Sequence, residues 1–574
     1  MDEQILAFAR TLTAVEQLEA ARPILPEPQY DVLVGLACGM TPDQVWAEVA
    51  GTLATPADYD VDDIGAALAR STRRMVLVSG PDELMEVFSY PFAQWRVYLH
   101  QAQRRAAYGS FNGPARVTGG PGTGKTVAAI HRAAHLAKSS PEDRSVLLTT
   151  FTKTLAASLE DNLHLLTDDE TVLSRIDVRH LDQVANRITA QAHGRLVLLS
   201  AEEEKHRWTT LIDRLRLDVS PAFLSQEWRH VVLAHEITTP QQYVTVNRSG
   251  RGRQLGPRQR ERLWSALETF GGQLREDGRW THETICMEAT RLLARQTAKP
   301  YRHIIVDEAQ DFSPWQWRLI RTAVAPGPND IFLAGDTHQR IYHHRISLKQ
   351  VGIDVTGRSE RLRINYRTTA EILAWSLALL HGERVDDMND QLDTLAGCRS
   401  DVHGAPPVLH SAPTSTAELD HLVRTVRGWL DQGIEPDQIG ITGRTTSIVD
   451  NAAAALTRQG VPAVSLARRT TRPGEVPVAT MHRMKGLEFR CVAVIGTDTL
   501  PLTSAVTPAA EDPYTHKLDV QRERCLLFVA CTRAREQLML SWHGGAPSPL
   551  LPLTRTDPAS ANSSRSTADE HGGD

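Results

Sequence analysis

The chain has 574 residues, of which 41% are hydrophobic and 23% charged, and its formal net charge is −6 at pH 7. This length exceeds what one hydrophobic core supports, so three or four domains or subdomains are expected. No apolar run approaches the about 18 residues that a membrane span needs, and no signal-peptide pattern follows Met1. The acidic balance excludes a uniformly basic nucleic-acid binder but is compatible with a local basic groove.

The cysteines are scattered, and none belongs to a Cys-x-x-Cys pair that could hold zinc. Few unpaired thiols in a large chain are typical of the reducing cytoplasm. We therefore expect a soluble, cytoplasmic, multidomain protein. The cysteines are Cys38, Cys286, Cys398, Cys491, Cys525 and Cys531.

Residues 1–90 predict a mainly helical N-terminal domain, because alanine-rich amphipathic stretches are separated there by proline and glycine. From Ala115 the pattern changes to short β-branched strands followed by helices, which indicates a parallel α/β sheet. This first α/β domain is assigned to residues 91–155 and 300–366. Its predicted strands are residues 115–117, 146–151, 303–308 and 331–336.

Residues 156–299 separate the two parts of that domain and are rich in helix formers and arginine, which predicts a helical insert. A second α/β domain is assigned to residues 367–545. Its predicted strands are residues 439–442, 476–480, 491–496 and 537–542. Residues 546–574 are rich in proline, serine, threonine and aspartate with little apolar content, which predicts a disordered tail.

A glycine-rich segment between the first predicted strand and the next helical stretch fits the pattern G-x-x-x-x-G-K-[ST]. In that setting backbone N–H groups wrap phosphates, Lys125 reaches the β- and γ-phosphates, and the Thr126 hydroxyl is a ligand for Mg²⁺. The alternative is an unrelated glycine-rich turn. The predicted phosphate-binding loop consists of Gly119, Gly120, Pro121, Gly122, Thr123, Gly124, Lys125 and Thr126.

Two acidic residues end the strand predicted at residues 303–308. Asp307 is expected to share one Mg²⁺ with Thr126, and Glu308 to orient and deprotonate the attacking water. The next strand should lie beside it and place Gln339 where it senses the γ-phosphate, although a solvated glutamine after a strand is the plainer interpretation.

The order of these motifs resembles the UvrD/Rep branch of the superfamily 1 helicases, over about residues 94–535. The residues that carry the resemblance most specifically are the DEAQD run at 307–311 and the GDTHQRIY run at 335–342. It implies an α/β fold of two RecA-like P-loop lobes with parallel sheets, a helical insert in the first lobe and a reduced insert in the second.

The resemblance also implies roles for single residues. Gln103 would read the adenine edge, Tyr366 would stack on adenine, and Glu488 would lie beside the nucleotide. Arg367 and Arg533 would reach the γ-phosphate, where an arginine offsets the charge of phosphoryl transfer. Taken singly, each arginine would more readily be interpreted as a surface ion-pair residue, and only the ordered set of motifs favours the catalytic role.

The implied activity is ATP hydrolysis, with Mg²⁺, coupled to 3′→5′ movement on single-stranded DNA and to unwinding, in DNA repair or recombination. The expected partners are single-stranded DNA and tailed duplex DNA, and a protein partner is also possible. We expect the protein to be a monomer that does not bind membranes. The alternatives are a translocase or a DNA-end sensor that works with a partner without appreciable unwinding.

DNA contacts are expected at the edge shared by both lobes, from hydroxyl, basic and aromatic side chains. Structural roles without DNA contact are open alternatives: Phe151 could belong to the core, and His180 could cap the following helix. The candidate DNA contacts are Phe151, Thr152, His180, Tyr342, Arg345 and His482.

Three departures from the family pattern limit the carry-over. Val127 stands where many members have an arginine that helps to hold the nucleotide. After Tyr342 the chain has two histidines and Arg345 rather than the usual tryptophan. The stretch from Arg367 to residue 478 is short, which leaves little room for a large second-lobe insert.

Some members of the most similar bacterial subgroup carry a RelE-like toxin domain. We expect no such domain here, and therefore no ribonuclease activity.

Overall fold

The computed structural model of the chain describes residues 103–140, 144–246, 255–341, 347–383, 397–467, 471–509 and 513–552, together with residues 33, 97, 99, 100, 248, 385–388, 392, 393 and 395. The predicted N-terminal helices and most of the predicted tail lie outside these residues. The chain divides into two compact units, Met1–Val78 and Ser79–Asp574, and all that follows concerns the second unit.

Strands and helices alternate through this unit. The strands are β1 (Ala115–Gly119), β2 (Val146–Thr150), β3 (Ile176–His180), β4 (Val197–Leu198), β5 (Arg279–Trp280), β6 (His303–Val306), β7 (Ile331–Gly335), β8 (Ser359–Leu362), β9 (Ile364–Asn365), β10 (Val385–Asp386), β11 (Leu392–Asp393), β12 (Arg399–Ser400), β13 (Val408–Ala412), β14 (Ile439–Gly443), β15 (Ala463–Ser465), β16 (Val476–Thr480), β17 (Phe489–Val494) and β18 (Ala534–His543). The helices are α1 (Arg104–Tyr108), α2 (Lys125–Ser139), α3 (Lys153–Leu166), α4 (Glu170–Ser174), α5 (Leu181–His193), α6 (Ala201–Leu215), α7 (Pro221–Glu227), α8 (Pro240–Thr245), α9 (Pro257–Glu276), α10 (His282–Ala294), α11 (Pro314–Thr322), α12 (Ala370–Ala378), α13 (Ser415–Asp431), α14 (Thr446–Arg458) and α15 (Pro513–Cys531).

The first lobe contains a six-stranded sheet in the order β3-β2-β6-β7-β1-β8. Its neighbouring strands are parallel, and β2, β6 and β7 are buried along their whole length. Parallel strands bring their carboxyl ends to one edge of the sheet, so the residues that follow β1, β6 and β7 meet there. The four strands predicted for this lobe are confirmed.

The predicted boundary between the first lobe and its insert, at residue 155, is wrong. β3 pairs with β2, and α5 and α10 pack into the same core as β6 and α11. Val184, Cys286 and Trp317 are fully buried members of that core. The sequence between 156 and 198 is helix-rich because its helices cover the sheet, and composition does not distinguish such helices from a separate bundle.

The helical insert is shorter than predicted but has a core of its own. Its buried residues run from Trp208 to Leu274, and Trp208 stacks on Phe270 with ring centroids 3.9 Å apart. A buried ion pair joins Arg248 to Glu227, Nε to Oε1, at 2.6 Å. The short parallel pair β4–β5 closes the base of the insert, and neither strand was predicted because each has only two residues.

The second lobe contains a parallel six-stranded sheet in the order β13-β18-β17-β14-β16-β15. The four strands predicted for it are confirmed, and together the two sheets confirm the predicted fold class. Leu550 and Leu551 are buried in this lobe's core, and the Ser548 hydroxyl donates to the Leu500 carbonyl at 2.8 Å. The lobe therefore continues past residue 546, where the tail was predicted to begin.

Candidate active site

The glycine-rich loop connects β1 to α2 at the carboxyl edge of the first sheet. Gly122 and Gly124 have φ values of 68° and 79°, a region that favours glycine, and a Cβ on Gly124 would overlap the Gln103 amide. The Lys125 Nζ donates to the carbonyls of Gly119 and Gly120 at 3.0 and 2.7 Å. Burial lowers the Lys125 pKa. The loop thus presents a partly buried cation at the start of a helix, where phosphate groups bind.

The two predicted metal ligands are adjacent. The Thr126 hydroxyl donates to Asp307 Oδ2 at 3.0 Å. Burial, followed by the neighbouring Glu308, raises the Asp307 pKa to about 7. A hydroxyl beside a buried carboxylate fits Mg²⁺, which takes few protein oxygens and completes its shell with phosphate and water.

Glu308 follows Asp307 in a strained backbone conformation, with φ of 53°. Its Oε2 accepts from Gln310 Nε2 at 2.5 Å. Burial by itself would raise the Glu308 pKa, but Lys485 and Arg533 of the second lobe hold it below its ordinary value. The carboxylate is therefore charged and able to accept a proton.

Gln339 connects the two lobes. Its Nε2 donates to Asp336 Oδ2 at 2.7 Å, and its Oε1 accepts from Arg533 Nη2 at 2.8 Å. Arg533 is 3% exposed, and burial lowers its pKa to about 10, so it stays charged at neutral pH. A solvated glutamine and a surface ion pair are therefore wrong interpretations for these two residues.

The other predicted arginine, Arg367, forms an ion pair with Glu488. Its backbone N–H donates to Asn365 Oδ1 at 2.7 Å, which fixes the turn after β9. Asn365 also lies against Gly122 of the phosphate-binding loop, where an added Cβ would clash with it. Arg367 and Glu488, expected to face the nucleotide, are thus paired with each other beside the loop.

The predicted adenine residues, Gln103 and Tyr366, also contact the loop. Gln103 Nε2 donates to the Thr123 carbonyl at 2.9 Å, and Gln103 Oε1 accepts from the His100 backbone N–H at 2.9 Å. The Tyr366 N–H donates to the Gly122 carbonyl at 3.0 Å. His100 stacks on the Tyr366 ring and was not predicted as a site residue.

Three of the predicted DNA contacts lie at the carboxyl ends of β2 and β3 of the first lobe. Phe151 packs edge-on against Phe312, with ring centroids 6.0 Å apart. It lies against the core of the first lobe but is only partly buried, so part of its ring is exposed. Thr152 caps α3 by accepting from the Leu155 N–H at 3.2 Å. His180 precedes α5 without a side-chain capping bond, so that alternative is wrong.

His482 lies in the second lobe, in the turn after β16. Burial, followed by the charge of Arg444, lowers its pKa to about 4, so the imidazole is neutral at pH 7. Tyr342 and Arg345, the remaining DNA candidates, lie outside the described residues.

The sequence reasoning missed Lys485. Its Nζ donates to the Gln339 carbonyl at 2.6 Å, pairs with Asp311 and lies 3.8 Å from Glu308 Oε2. Lys485 is 6% exposed. Lys485 belongs to the same MHRMKGLEF run as His482 and Glu488. Its sequence neighbours do not identify it as functional, because its contacts with Gln339, Asp311 and Glu308 arise only in the folded chain.

Comparison with known proteins agrees with this geometry. A model described as the UvrD/REP helicase N-terminal domain matches residues 99–351, and one described as the UvrD-like helicase C-terminal domain matches residues 464–545. The ATP-dependent DNA helicase UvrD2 of Mycobacterium tuberculosis is 24% identical over 598 residues, covering 81% of this chain and 83% of the relative.

DNA helicase II of Haemophilus influenzae is 25% identical over 179 residues, which cover 30% of this chain and 24% of that protein. Among the described residues, no helix combines the length and apolar character that crossing a bilayer requires. The two family models together span more than half of the chain, in the order in which the two lobes occur. The chain belongs to the UvrD/Rep-like family of superfamily 1 ATP-dependent DNA helicases.

Proposed function

We propose that this protein hydrolyses ATP to move 3′→5′ along single-stranded DNA and to unwind the duplex ahead of it. The observation that carries the proposal is the composite site between the lobes. Glu308 and Gln339 belong to the first lobe, and the cations that contact them, Arg533 and Lys485, belong to the second. A hydrolytic site of this kind is complete only when the lobes are together, so turnover can be coupled to their relative motion.

The proposed chemistry assigns one task to each group. Thr126 and Asp307 hold Mg²⁺, which would offset phosphate charge when bound. Glu308 orients the attacking water and accepts its proton. Lys125, Arg367 and Arg533 offset the negative charge that develops on the transferred phosphoryl group. For Arg367 this requires release of its ion pair with Glu488.

We place the strand across the first-lobe residues Phe151, Thr152 and His180 and the second-lobe residue His482. Thr152 caps α3, and the Leu155 side chain of that helix lies against Gly486, the residue that follows Lys485 in the turn between β16 and β17. A DNA strand bound to these residues would touch the turn between β16 and β17, and Lys485 of the same turn contacts the carboxylates of Glu308 and Asp311. We further propose a cytoplasmic role in DNA repair or recombination.

A translocase or end sensor without appreciable unwinding is the second candidate. It is favoured by the second lobe, where the described residues between 367 and 478 form helices, strands of the main sheet and, besides these, only the two-residue strands β10, β11 and β12. We find no separate subdomain there that could engage duplex DNA. Such a motor would depend on a protein partner.

The test is the steady-state ATPase rate with and without single-stranded DNA, beside unwinding of duplexes with a 3′ or a 5′ tail. Strong stimulation with unwinding only from a 3′ tail is expected. Stimulation without unwinding would favour the translocase, and no stimulation would favour the sensor. Lys125→Ala, which removes the cation of the loop, is the control for a contaminating ATPase.

A further inference from the structure

Three side chains that can bind a metal meet at the carboxyl edge of the second sheet. Glu418 belongs to α13, Asp498 lies in a helical turn after β17, and His543 is the last residue of β18. One ligand atom of each residue lies within 4.8 Å of the other two. None of the three is among the residues assigned to the nucleotide or to DNA, and up to 125 residues of chain separate them.

One nitrogen of His543 faces both carboxylates. Its Nδ1 lies 2.7 Å from Glu418 Oε2 and 3.6 Å from Asp498 Oδ1. A ring nitrogen carries one hydrogen at most, so it can donate to one carboxylate oxygen and not to both. Hydrogen bonding alone therefore does not account for the approach of the second carboxylate, whereas a cation shared by all three atoms does.

The negative charge of this cluster exceeds the positive charge that faces it. Among the described residues, neither Glu418 nor Asp498 forms an ion pair with a lysine or an arginine. His543 offers at most one positive charge to two carboxylates. The Glu418 side chain is only 5% exposed, and a buried carboxylate without full compensation is costly. The excess charge thus favours a divalent cation.

Glu418 is oriented by groups outside the cluster. Its Oε1 accepts from the Gly496 N–H at 2.8 Å and from the Ser541 hydroxyl at 2.6 Å, which leaves Oε2 directed at His543. Supporting bonds of this kind fix the orientation of metal ligands in proteins. The side chains of Asp498 and His543 are 23% and 32% exposed, so a cation and its water can reach the cluster.

We propose that Glu418, Asp498 and His543 form a Zn²⁺ site that fastens α13 to the ends of β17 and β18. Zn²⁺ binds carboxylate oxygen and imidazole nitrogen at about 2.0–2.2 Å, so its tetrahedral ligands lie roughly 3.3 Å apart, with the fourth position left to water. The distances from His543 Nδ1, 2.7 and 3.6 Å, bracket that value. The imidazole ligand favours Zn²⁺ over Mg²⁺, which prefers oxygen.

A cation bound there stabilises the fold, because unfolding separates the three ligands. No catalytic step passes through the site, so the proposal is independent of the motor activity. A protein that fails to hydrolyse ATP would refute the motor and leave this inference to its own test.

The experiment measures Zn²⁺ bound per chain by equilibrium dialysis with metal analysis, and the urea midpoint with and without Zn²⁺. We expect His543→Ala and Asp498→Asn each to lose about one Zn²⁺ per chain relative to the wild type, together with the rise of the midpoint. Losing a ligand should weaken Zn²⁺ binding by at least the about 10–100-fold that losing a supporting bond costs. Mg²⁺ should not raise the midpoint of the wild type by a comparable amount.

His403→Ala is the matched control. His403 pairs with Glu371 at 2.9 Å, but this carboxylate–imidazole pair has no third ligand in the part of the chain that the structure describes. The control should bind Zn²⁺ as the wild type does. Zn²⁺ held by cysteines or by Asp307 is common to all variants and cancels in the comparison.

Equal Zn²⁺ binding by the wild type and Asp498→Asn would overturn the proposal. So would an equal loss in His403→Ala, or an equal rise of the midpoint with Mg²⁺. A cooperative urea transition without Zn²⁺ verifies that each variant is folded. Asp498→Asn preserves the shape of an exposed side chain, so it decides the question even if His543→Ala fails to fold.

Discussion

Glu308 is the residue on which hydrolysis is expected to depend most. Its side chain is 12% exposed, its backbone is held in the left-handed region, and second-lobe cations keep it charged. Such strain persists only where the surroundings impose it, and it aims the carboxylate into the cleft beside Asp307. Its role is therefore open to a substitution that preserves shape.

Glu308→Gln should retain binding of ATP and of DNA but lower kcat by about 10²–10⁴, because the amide cannot accept a proton from water. The measurement is the DNA-stimulated ATPase rate beside equilibrium binding of both ligands. Glu288→Gln, which alters a surface ion pair with Arg291 on α10, is the matched control and should turn over normally. A wild-type rate in Glu308→Gln would remove the base assignment.

His482 predicts a pH effect on stability. Its folded pKa of about 4 lies below the ordinary 6.5, so the unfolded chain binds more protons as the pH falls between these values. By linkage this destabilises the fold below pH 6.5 and contributes nothing at neutral pH. In His482→Gln the loss of stability between about pH 7.5 and about pH 5 should be smaller, as measured by urea midpoints. Equal losses in both proteins would contradict the buried, neutral histidine.

At the scale of elements, the turn between β16 and β17 links the parts of the site. His482, Lys485 and Glu488 lie within it. Lys485 contacts the acidic residues after β6, and Glu488 pairs with Arg367. His482 belongs to the proposed DNA-binding surface. Gly486, in the same turn, has a φ of 77° and lies so close to Leu155 of α3 that an added Cβ would overlap that side chain. The turn is therefore also a point of close approach between lobes.

Gly486→Ala should lower the ATPase rate strongly, since the methyl group pushes the lobes apart. Gly460→Ala is the matched control, because Gly460 has a φ of 80° but open space around its Cβ position. Both variants should lose about 1–2 kcal/mol of stability from the backbone strain, and only the first should lose activity. Leu155→Ala added to Gly486→Ala should restore part of the rate; no recovery would exclude the steric explanation.

At the scale of the whole molecule, the two lobes meet through buried charge. Lys485 is 5% exposed in its side chain and pairs with Asp311, which is 1% exposed. Burial raises the Asp311 pKa to about 6 even beside this lysine. Removing one partner of a buried pair leaves the other charge without compensation.

Lys485→Met should therefore lower stability by on the order of 3 kcal/mol, seen as a lower urea midpoint. Adding Asp311→Asn should recover part of the loss. Arg490→Met provides the control: its pair with Glu536 is 31% and 29% exposed, and its removal should cost less than about 1 kcal/mol. Similar losses in Lys485→Met and Arg490→Met would show that the lobes do not depend on this contact.

Arg533→Ala tests whether the second lobe completes the hydrolytic site. A transition-state arginine contributes about 10³–10⁵ in rate, so kcat should fall by orders of magnitude while DNA binding is largely retained. Arg490→Ala, in the same lobe but away from Gln339, should keep its rate. A near-normal rate in Arg533→Ala would refute a site shared between the lobes.

Local pattern was sufficient for much of this architecture. The strands of both sheets are predictable because their β-branched and apolar runs are bounded by glycine, proline and charge. The phosphate-binding loop is predictable because close backbone approach and positive φ require glycine at Gly122 and Gly124. The strand β3 and the true extent of the insert were not predictable from the sequence. A helix that covers a sheet and a helix of a separate bundle have the same amphipathic pattern, so residues 156–198 could not be assigned to the first lobe.

The sequence by itself determined the fold class and the order of the motifs, and it predicted the loop, the acidic pair and the arginines as site residues. Only the tertiary structure decided which of these groups meet. Lys485 contacts Gln339 across 146 residues of chain, and Tyr366 contacts His100 across 266. The reason is physical: helix, strand and turn preferences act over a few residues, whereas the pKa of Glu308 and the tilt of Tyr366 depend on charges and rings that folding brings from distant parts of the chain.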